Sequence, residues 1–239
     1  MEYRNFFLAA LRPDDIAALE PRLKEVTLTI GQVLVEPNDE IHTLYFPSSA
    51  CISVVAQMRD GKTLEIATVG RESAASLLDV MSGAASGTRL FVQIAGAGLS
   101  LPAAAFRARL QESPALMQLA LAHVRATVRQ AETGVACNLA HTTDNRLARW
   151  LLMTQDRVGS EIFPLTQDLM AIMTGAQRST ISQLASSLKI AGVIDYARGQ
   201  VTVVDRARLI EHACECYDTV NEVFEDLRDR KAANESHHH

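Results

Sequence analysis

The sequence of 239 residues lacks long apolar runs. No stretch reaches the roughly 18–20 consecutive apolar residues that a membrane-spanning helix requires. The first residues, Met1-Glu2-Tyr3-Arg4-Asn5, are not the basic segment followed by an apolar one that marks a secretory signal. We therefore expect a cytoplasmic protein with no membrane partner. The terminal Ser236-His237-His238-His239 resembles the remnant of a purification tag and carries no information about the fold.

Cysteine is scarce in this chain. The four cysteines are Cys51, Cys137, Cys214 and Cys216. So small and scattered a set does not form a disulfide framework, and no pair has the C-x-x-C spacing of a zinc ribbon or a thioredoxin-like redox site. Cys214 and Cys216 are two residues apart, and side chains at that spacing on a helix point in different directions. The sequence therefore predicts no metal site.

Motifs of common enzyme classes are also missing. The chain contains no G-x-S-x-G nucleophile turn, no phosphate-binding P-loop and no H-E-x-x-H helix. The nearest arrangement is Cys137 with His141, whose spacing of four residues places both on one face of a helix. A catalytic cysteine also needs a group that orients its base and donors that stabilise an oxyanion, and the sequence offers neither. We expect no catalytic residues.

The net charge is −5, which by itself argues against binding to nucleic acid, because phosphate contacts need local Lys and Arg. The charges are unevenly distributed, however. Between residues 164 and 208, five basic residues oppose three acidic ones, whereas acidic residues prevail after residue 210. Binding to DNA is compatible with this composition if the basic segment forms the contact surface.

The period of the apolar residues changes within the N-terminal half. Over 1–23 they recur at helical intervals, and Pro13-Asp14-Asp15 is typical of a helix start. From 26 to 102, short β-rich runs alternate with turn residues, a pattern that indicates an antiparallel sandwich or barrel. A helical insert is predicted over Ser73–Val80.

A long helix is predicted over 103–136, or two helices broken near Pro114. Apolar residues in its second part have the a/d spacing of a coiled coil. Such a stripe forms either between two chains or against the helix's own domain. In the two-chain interpretation the dimer interface consists of Met117, Leu121, Val124, Val128, Ala131 and Val135.

The segment Leu165–Val204 has the pattern of a winged helix-turn-helix. Thr166 can cap a first helix, Gly175 permits a tight turn, and a second helix is expected over 177–190. Two short β runs follow and indicate a hairpin with Arg198 at its tip. Polar residues occupy the start of the second helix, where a recognition helix contacts base edges and phosphates. The predicted DNA contacts are Thr166, Gln177, Arg178, Ser179, Ser182, Gln183 and Arg198.

In this order of elements the chain resembles the Crp/Fnr family of bacterial regulators. Arg178-Ser179-Thr180-Ile181-Ser182-Gln183 lies where the family places its base contacts. The runs Cys137–His141, Asp144–Leu152 and Cys214–Tyr217 are similar to a proteobacterial branch. The resemblance implies an α+β fold with four parts: an antiparallel, jelly-roll-like β-roll sensor over 1–113, a dimerisation helix and hinge over 114–143, a winged helix-turn-helix with a C-terminal helix over 144–231, and a disordered tail over 232–239.

The resemblance also implies a function. We expect a homodimer that regulates transcription by binding a palindromic operator in double-stranded DNA, with RNA polymerase as a candidate partner. Ser179 and Gln183 stand where many relatives have Glu and Arg, so the operator is expected to differ from the best-known consensus. A competing interpretation is a module that acts through protein contacts alone, which the polar face of the second helix disfavours.

The effector is less evident. Cyclic-nucleotide-binding relatives hold ribose and phosphate with a Gly-Glu pair and a later Arg-Ser or Arg-Thr-Ala. Here Gly70-Arg71-Glu72-Ser73 matches the first element in part, and Arg89 is the available substitute for the second. These five residues are the expected effector pocket. The effector is expected to be an unidentified small molecule, and the alternative is a cyclic nucleotide bound through Glu72 and Arg89.

Two other sensing mechanisms would require an iron cofactor. The oxygen-sensing branch holds an iron–sulfur centre with N-terminal cysteines, and none precedes Cys51, so this centre is not expected. Haem would need an axial ligand, for which the candidates are His42, His123, His141 and His212. An ordinary polar or structural role is expected for each of them.

Overall fold

The computed structural model describes residues 3–59, 61 and 63–235. The expected turn at 59–62 therefore falls partly, and the tag-like residues 236–239 fall wholly, outside the described residues. The chain begins with α1 (Phe6–Ala9), α2 (Pro13–Leu19) and a 3₁₀ turn at Glu20–Arg22. Asn5 caps α1 by accepting from the backbone N–H of Leu8, and its amide donates to the carbonyl of Ser73 at 2.8 Å.

The predicted strands form two antiparallel sheets that face each other. In one sheet the strand order is β1 (Lys24–Leu28), β7 (Gly96–Pro102), β3 (Thr43–Pro47). In the other it is β2 (Val33–Val35), β6 (Arg89–Ile94), β4 (Cys51–Gln57), β5 (Thr63–Val69). The predicted helical insert is α3 (Leu77–Ser82), which begins four residues later than expected. Fully buried aromatic and aliphatic side chains fill the space between the sheets, among them Phe7, Phe46, Leu44, Ile52, Leu101 and Phe106.

Two helices connect this roll to the rest of the chain. They are α4 (Ala103–Glu112) and α5 (Pro114–Ala140), so of the two alternatives for this segment the structure has two helices with a break at Ser113. Ser113 caps α5 by accepting from the backbone N–H of Leu116, and its hydroxyl donates to Asp15 at 3.0 Å. Arg109 also donates to Asp15, at 2.7 Å. These bonds fix the start of α5 against α2.

The C-terminal part has the elements expected of a winged helix-turn-helix: α6 (Thr143–Val158), β8 (Ile162–Pro164), α7 (Gln167–Thr174), α8 (Arg178–Ile190), β9 (Ile194–Ala197), β10 (Gln200–Val203), α9 (Arg206–His212) and α10 (Cys216–Glu235). The wing is a three-stranded sheet in the order β8-β10-β9. Because α10 extends to Glu235, residues 232–235 are helical, contrary to the predicted tail. Within the described residues, no helix is both long enough and apolar enough to cross a bilayer.

The roll and the C-terminal part share one apolar cluster. Cys51 and Ile94 of the roll pack in the same cluster as Leu151 and Phe163. Trp150 on α6 donates its indole N–H to Glu65 on β5 at 2.9 Å. The two parts are therefore packed directly against each other and are not merely joined through α5.

Candidate DNA interface

The turn between α7 and α8 is built as the sequence predicts. Thr166 caps α7 by accepting from the backbone N–H of Leu169 at 3.2 Å. Gly175 ends α7 with φ +64°, a left-handed conformation that favours glycine. Gln177 is the extended N-cap of α8, and its side chain makes no capping hydrogen bond. The first backbone N–H groups of α8 can therefore donate to a phosphate at the positive end of the helix dipole.

One face of α8 is apolar and the other is polar. Ile181, Ala185 and Leu188 are buried against the domain, whereas Gln177, Arg178, Ser179 and Gln183 are exposed. Ser182 is partly buried and accepts a hydrogen bond from Gln167 at 3.4 Å. The predicted contacts on α8 thus lie together on the side that faces away from the protein core.

Arg178 is held in a weak, exposed ion pair. Its guanidinium lies 3.3 Å from the carboxylate of Asp168, and both side chains are more than 60% exposed, at 66% and 63%. A solvated pair of this kind contributes little to stability. The guanidinium can exchange Asp168 for a guanine edge or a phosphate at low cost.

The wing exposes a second basic residue at its turn. Arg198 and Gly199 form its two-residue turn with φ of +52° and +73°, the geometry of a type I′ hairpin. Lys189 at the end of α8 lies 2.7 Å from Asp195 on β9 and donates to the carbonyl of Tyr196. This contact attaches the wing to α8, and the Lys189 ammonium lowers the pKa of Asp195.

Two details of this surface differ from the sequence-based expectation. The apolar spacing of the first helix predicts a buried face of Leu169, Met170, Ile172 and Met173, but Ile172 is 39% exposed, and only Met170 and Met173 of these four are buried. Ser186 was not predicted as a contact, yet it is exposed one turn after Ser182 and Gln183 on the polar face of α8. Its i+3 and i+4 spacing from those two residues is the signal that could have identified it.

Half of the predicted dimer seam on α5 is exposed. Leu121, Val128 and Val135 are 52%, 44% and 64% exposed, and the other three seam residues are partly buried. The opposite face of α5 is buried and includes Leu116, Ala120, His123, Gln130 and Cys137. Packing within this chain therefore covers that face and part of the heptad seam, and it leaves three of the six seam residues exposed.

Two charged residues of the expected effector pocket have ion-pair partners within the protein. Glu72 lies 3.0 Å from the buried guanidinium of Arg157 on α6 and accepts from the backbone N–H of Gly70. Arg89 instead pairs with Glu36 at 3.3 Å. Glu72 and Arg89 therefore have separate ion-pair partners in this structure.

The other members of that expected pocket also have structural contacts. Arg71 stacks on Phe6, 5.4 Å from the ring centroid, and lies against Gly159. Ser73 lies 3.2 Å from Nδ1 of His123. The turn 70–73 is therefore a contact surface between the roll, the N-terminal helices and α6.

A different cavity of about 320 Å³ lies between the roll, α3 and α5. Its wall includes Val54, Leu90 and Leu77 of the roll with Val124 and Val128 of α5. Among the described residues, Asp79 is the one charged residue of the lining, and burial raises the pKa of that carboxyl. Because no described residue of the wall is a cation, this lining offers no partner for a buried phosphate charge.

The candidate haem ligands have local partners. His123 is buried with its ring 4.8 Å from that of Phe7, and burial lowers its pKa to about 4. His212 lies 3.8 Å from Asp144, and His141 lies 3.2 Å from Glu215. His42 is exposed, and its backbone carbonyl accepts from Ala103. The contacts of His42, His123 and His212 fit the ordinary roles expected of these residues.

Known proteins are similar to this chain at two levels: one family model matches its C-terminal part, and solved structures match most of its length. Residues 145–212 match the family model of the Crp-like helix-turn-helix domain. That match contains α7, α8 and the wing, and so every predicted DNA contact. No curated protein matches the chain.

Solved structures are similar over most of the chain. FixK2 from Bradyrhizobium japonicum has a TM-score of 0.69 at 15% identity, covering 80% of this chain and 98% of its own. A CRP-family transcriptional regulator from Thermus thermophilus has a TM-score of 0.65 at 19% identity, covering 80% and 96%. The c-di-GMP responsive global regulator CLP from Xanthomonas campestris has a TM-score of 0.64 at 12% identity, covering 80% and 99%. The chain therefore has a Crp-like helix-turn-helix domain and, over most of its length, the fold of Crp/Fnr-family transcriptional regulators, as the order of its sequence elements predicted.

Proposed function

We propose that this protein is a cytoplasmic transcriptional regulator that binds a palindromic operator as a homodimer, without catalytic activity of its own. The observation that carries the proposal is the polar, exposed N-terminal part of α8 within a Crp-like helix-turn-helix domain. A helix of this kind inserts its first turns into the major groove. Arg178 and Gln183 would read base edges there, and Arg198 on the wing would contact phosphate.

The homodimer is supported by the exposed seam of α5. Leu121, Val128 and Val135 are large apolar side chains spaced seven residues apart along one helix face. Pairing two such helices buries these side chains and provides a two-fold axis. Two recognition helices related by that axis match two half-sites of a palindrome.

Control by a small molecule is supported by the apolar cavity. Val124, Val128 and Ala131 belong both to the cavity wall and to the predicted seam. An effector bound there would contact the helix on which dimerisation depends, so its binding could shift the population competent for DNA. The wall chemistry favours a largely apolar molecule over a cyclic nucleotide.

Selection of DNA from a random pool, followed by titration of the selected site by fluorescence anisotropy, tests the proposal. Arg178→Ala is expected to weaken binding to that site by at least about tenfold, because the proposed homodimer loses two bidentate base contacts and each contributes about 1–3 kcal/mol. Arg22→Ala removes the same charge from an exposed site in the N-terminal part and is the matched control. Equal affinities of the wild type and Arg178→Ala would contradict the assignment of α8.

A further inference from the structure

Three thiols and one imidazole converge where α5 meets the C-terminal part of the chain. Cys137 is in the last turn of α5, and His141 follows the end of that helix. Cys214 lies between α9 and α10, and Cys216 is the first residue of α10. Their three sulfur atoms and one imidazole nitrogen all lie within 4.8 Å of one another.

The distances in this cluster fit a single tetrahedral ion. With Zn–S bonds of about 2.3 Å and a Zn–N bond of about 2.0–2.1 Å, tetrahedral geometry separates two sulfurs by about 3.8 Å and a sulfur and a nitrogen by about 3.6 Å. The sulfurs of Cys137 and Cys214 are 3.5 Å apart, and the sulfur of Cys216 is 3.6 Å from Nδ1 of His141. Only small shifts would be needed to place all four atoms around one ion.

The surroundings of His141 also fit a metal ligand. Its Nε2 lies 3.2 Å from the carboxylate of Glu215. A ligating histidine usually donates its other ring N–H to a carboxylate or carbonyl, which fixes the tautomer and orients the ring. Donation from Nε2 to Glu215 leaves the lone pair of Nδ1 directed at the cysteines.

A buried arginine near the cluster can offset the net charge of such a metal centre. Three thiolates and a neutral imidazole around a divalent cation carry a net charge of −1. Arg149 on α6 is only 8% exposed, and its Nε has no hydrogen-bond partner among the described residues. Its guanidinium is close enough to Cys216 to act on that sulfur electrostatically.

Other uses of these residues fit the geometry less well. A disulfide between Cys137 and Cys214 would need their sulfurs at about 2.05 Å and would leave Cys216 and His141 without a role. A two-iron cluster divides its four protein ligands between two irons, which spreads them more widely than ligands of one ion. The compact arrangement of all four atoms favours one ion.

We propose that Cys137, His141, Cys214 and Cys216 bind one zinc ion in a closed, tetrahedral site. Thiolate and imidazole ligands select zinc over magnesium or calcium. Four protein ligands leave no open position, so the ion is structural. It joins the end of the dimer helix to the start of α10, across about 77 residues of sequence.

This proposal departs from the expectation of no metal site. That expectation assumed that Cys214 and Cys216 lie on one helix. In the structure α10 begins at Cys216, and Cys214 is in the preceding connection. The helical rule does not apply there, and both side chains turn toward Cys137.

Metal analysis of a chain lacking residues 236–239 tests the proposal, because the terminal histidines could bind metal themselves. The wild type is expected to contain about one zinc per chain, and Cys214→Ser less than about a tenth of that, since three ligands hold zinc far more weakly than four. Cys51→Ala is the matched control because Cys51 is a buried cysteine outside the cluster. It is expected to retain the wild-type zinc content. Wild-type protein without zinc, or Cys214→Ser with full zinc content, would overturn the proposal.

A second measurement does not depend on whether Cys214→Ser folds. Cobalt(II) added to chelator-treated wild-type protein is expected to give the intense visible bands of a tetrahedral thiolate site, and zinc is expected to abolish them. His141→Gln is expected to change these bands, whereas His212→Gln leaves them unchanged. Weak bands typical of octahedral cobalt, a Cys137–Cys214 disulfide in the purified wild type, or iron with acid-labile sulfide would each refute the site.

Discussion

Glu65 lies on β5 at the contact between the roll and α6. One of its carboxylate oxygens accepts from Trp150 and the other from Ser53, each at 2.9 Å. Burial nevertheless raises the pKa of Glu65 to about 7, against the opposing effect of these bonds and of Arg157 and Arg149. The unfolded chain, in which the pKa is 4.5, therefore loses this proton at a much lower pH.

The sign of the pH dependence follows from that comparison. The folded state holds the proton more tightly, so the contribution of Glu65 to stability is fully present below pH 4.5 and is lost as the pH rises through 7. A pKa difference of about 2.5 corresponds to about 3.4 kcal/mol in the free energy of unfolding. Because Glu65 keeps some contact with solvent, about 1–3 kcal/mol is the effect we expect.

Glu65→Gln removes the charge but keeps a similar shape and hydrogen-bonding groups. At about pH 4.5 the variant is expected to have the same free energy of unfolding as the wild type. At about pH 8 its free energy of unfolding is expected to be about 1–3 kcal/mol higher than that of the wild type. Urea unfolding at fixed protein concentration measures the free energy of unfolding. The fluorescence of Trp150, the one tryptophan in the sequence, follows the transition.

Two controls make the measurement specific to Glu65. Glu25→Gln removes the same charge from an exposed position on β1. His123, whose lowered pKa makes the folded state less stable as the pH falls from 6.5 toward about 4, is present in both proteins and cancels in their difference. A stability difference between Glu65→Gln and wild type that stays constant with pH would refute the reasoning.

Three further predictions concern the seam, the wing and the domain contact. Val128→Glu places a charge in the apolar seam and is expected to make the protein monomeric. A variant that sediments with the mass of a dimer would contradict the assignment of the seam as the dimer interface. Arg198→Ala is expected to weaken binding to all DNA sequences alike and to reduce the slope of log K against log salt by about two, one for each chain of the proposed homodimer, and an unchanged slope would show that Arg198 contacts no phosphate. Arg157→Ala leaves Glu72 buried without its cation and is expected to cost about 3–5 kcal/mol in urea unfolding, whereas Arg157→Met combined with Glu72→Gln should recover most of the loss.

Local chemistry explains which parts of the fold were predictable from sequence. Thr166 and Gly175 mark the ends of α7 because a cap and a left-handed residue act on their immediate neighbours. The break at Pro114 and the strands of the roll likewise depend on residues close in the chain. The polar face of α8 was predictable because helical spacing alone places those residues together.

The remaining features depend on contacts between distant residues. Glu72 was expected to bind an effector, but its partner is Arg157, which is 85 residues away in the sequence. No local sequence pattern around Glu72 indicates this pairing. The cysteine and histidine cluster combines the end of α5 with the α9–α10 connection, and no spacing rule spans that distance. Ile172 has the helical spacing of a core residue, yet Met170 and Met173 are the residues that α7 buries.

The apolar cluster shared by Cys51, Ile94 and Leu151 has a consequence for synthesis on the ribosome. The strands of the roll are complete once residue 102 has emerged, but one of its sheet faces stays uncovered until α6 follows. Apolar surface exposed during that interval is a risk for aggregation and a binding site for chaperones. A nascent chain stalled before residue 143 should therefore be more dependent on chaperones than one that includes α6.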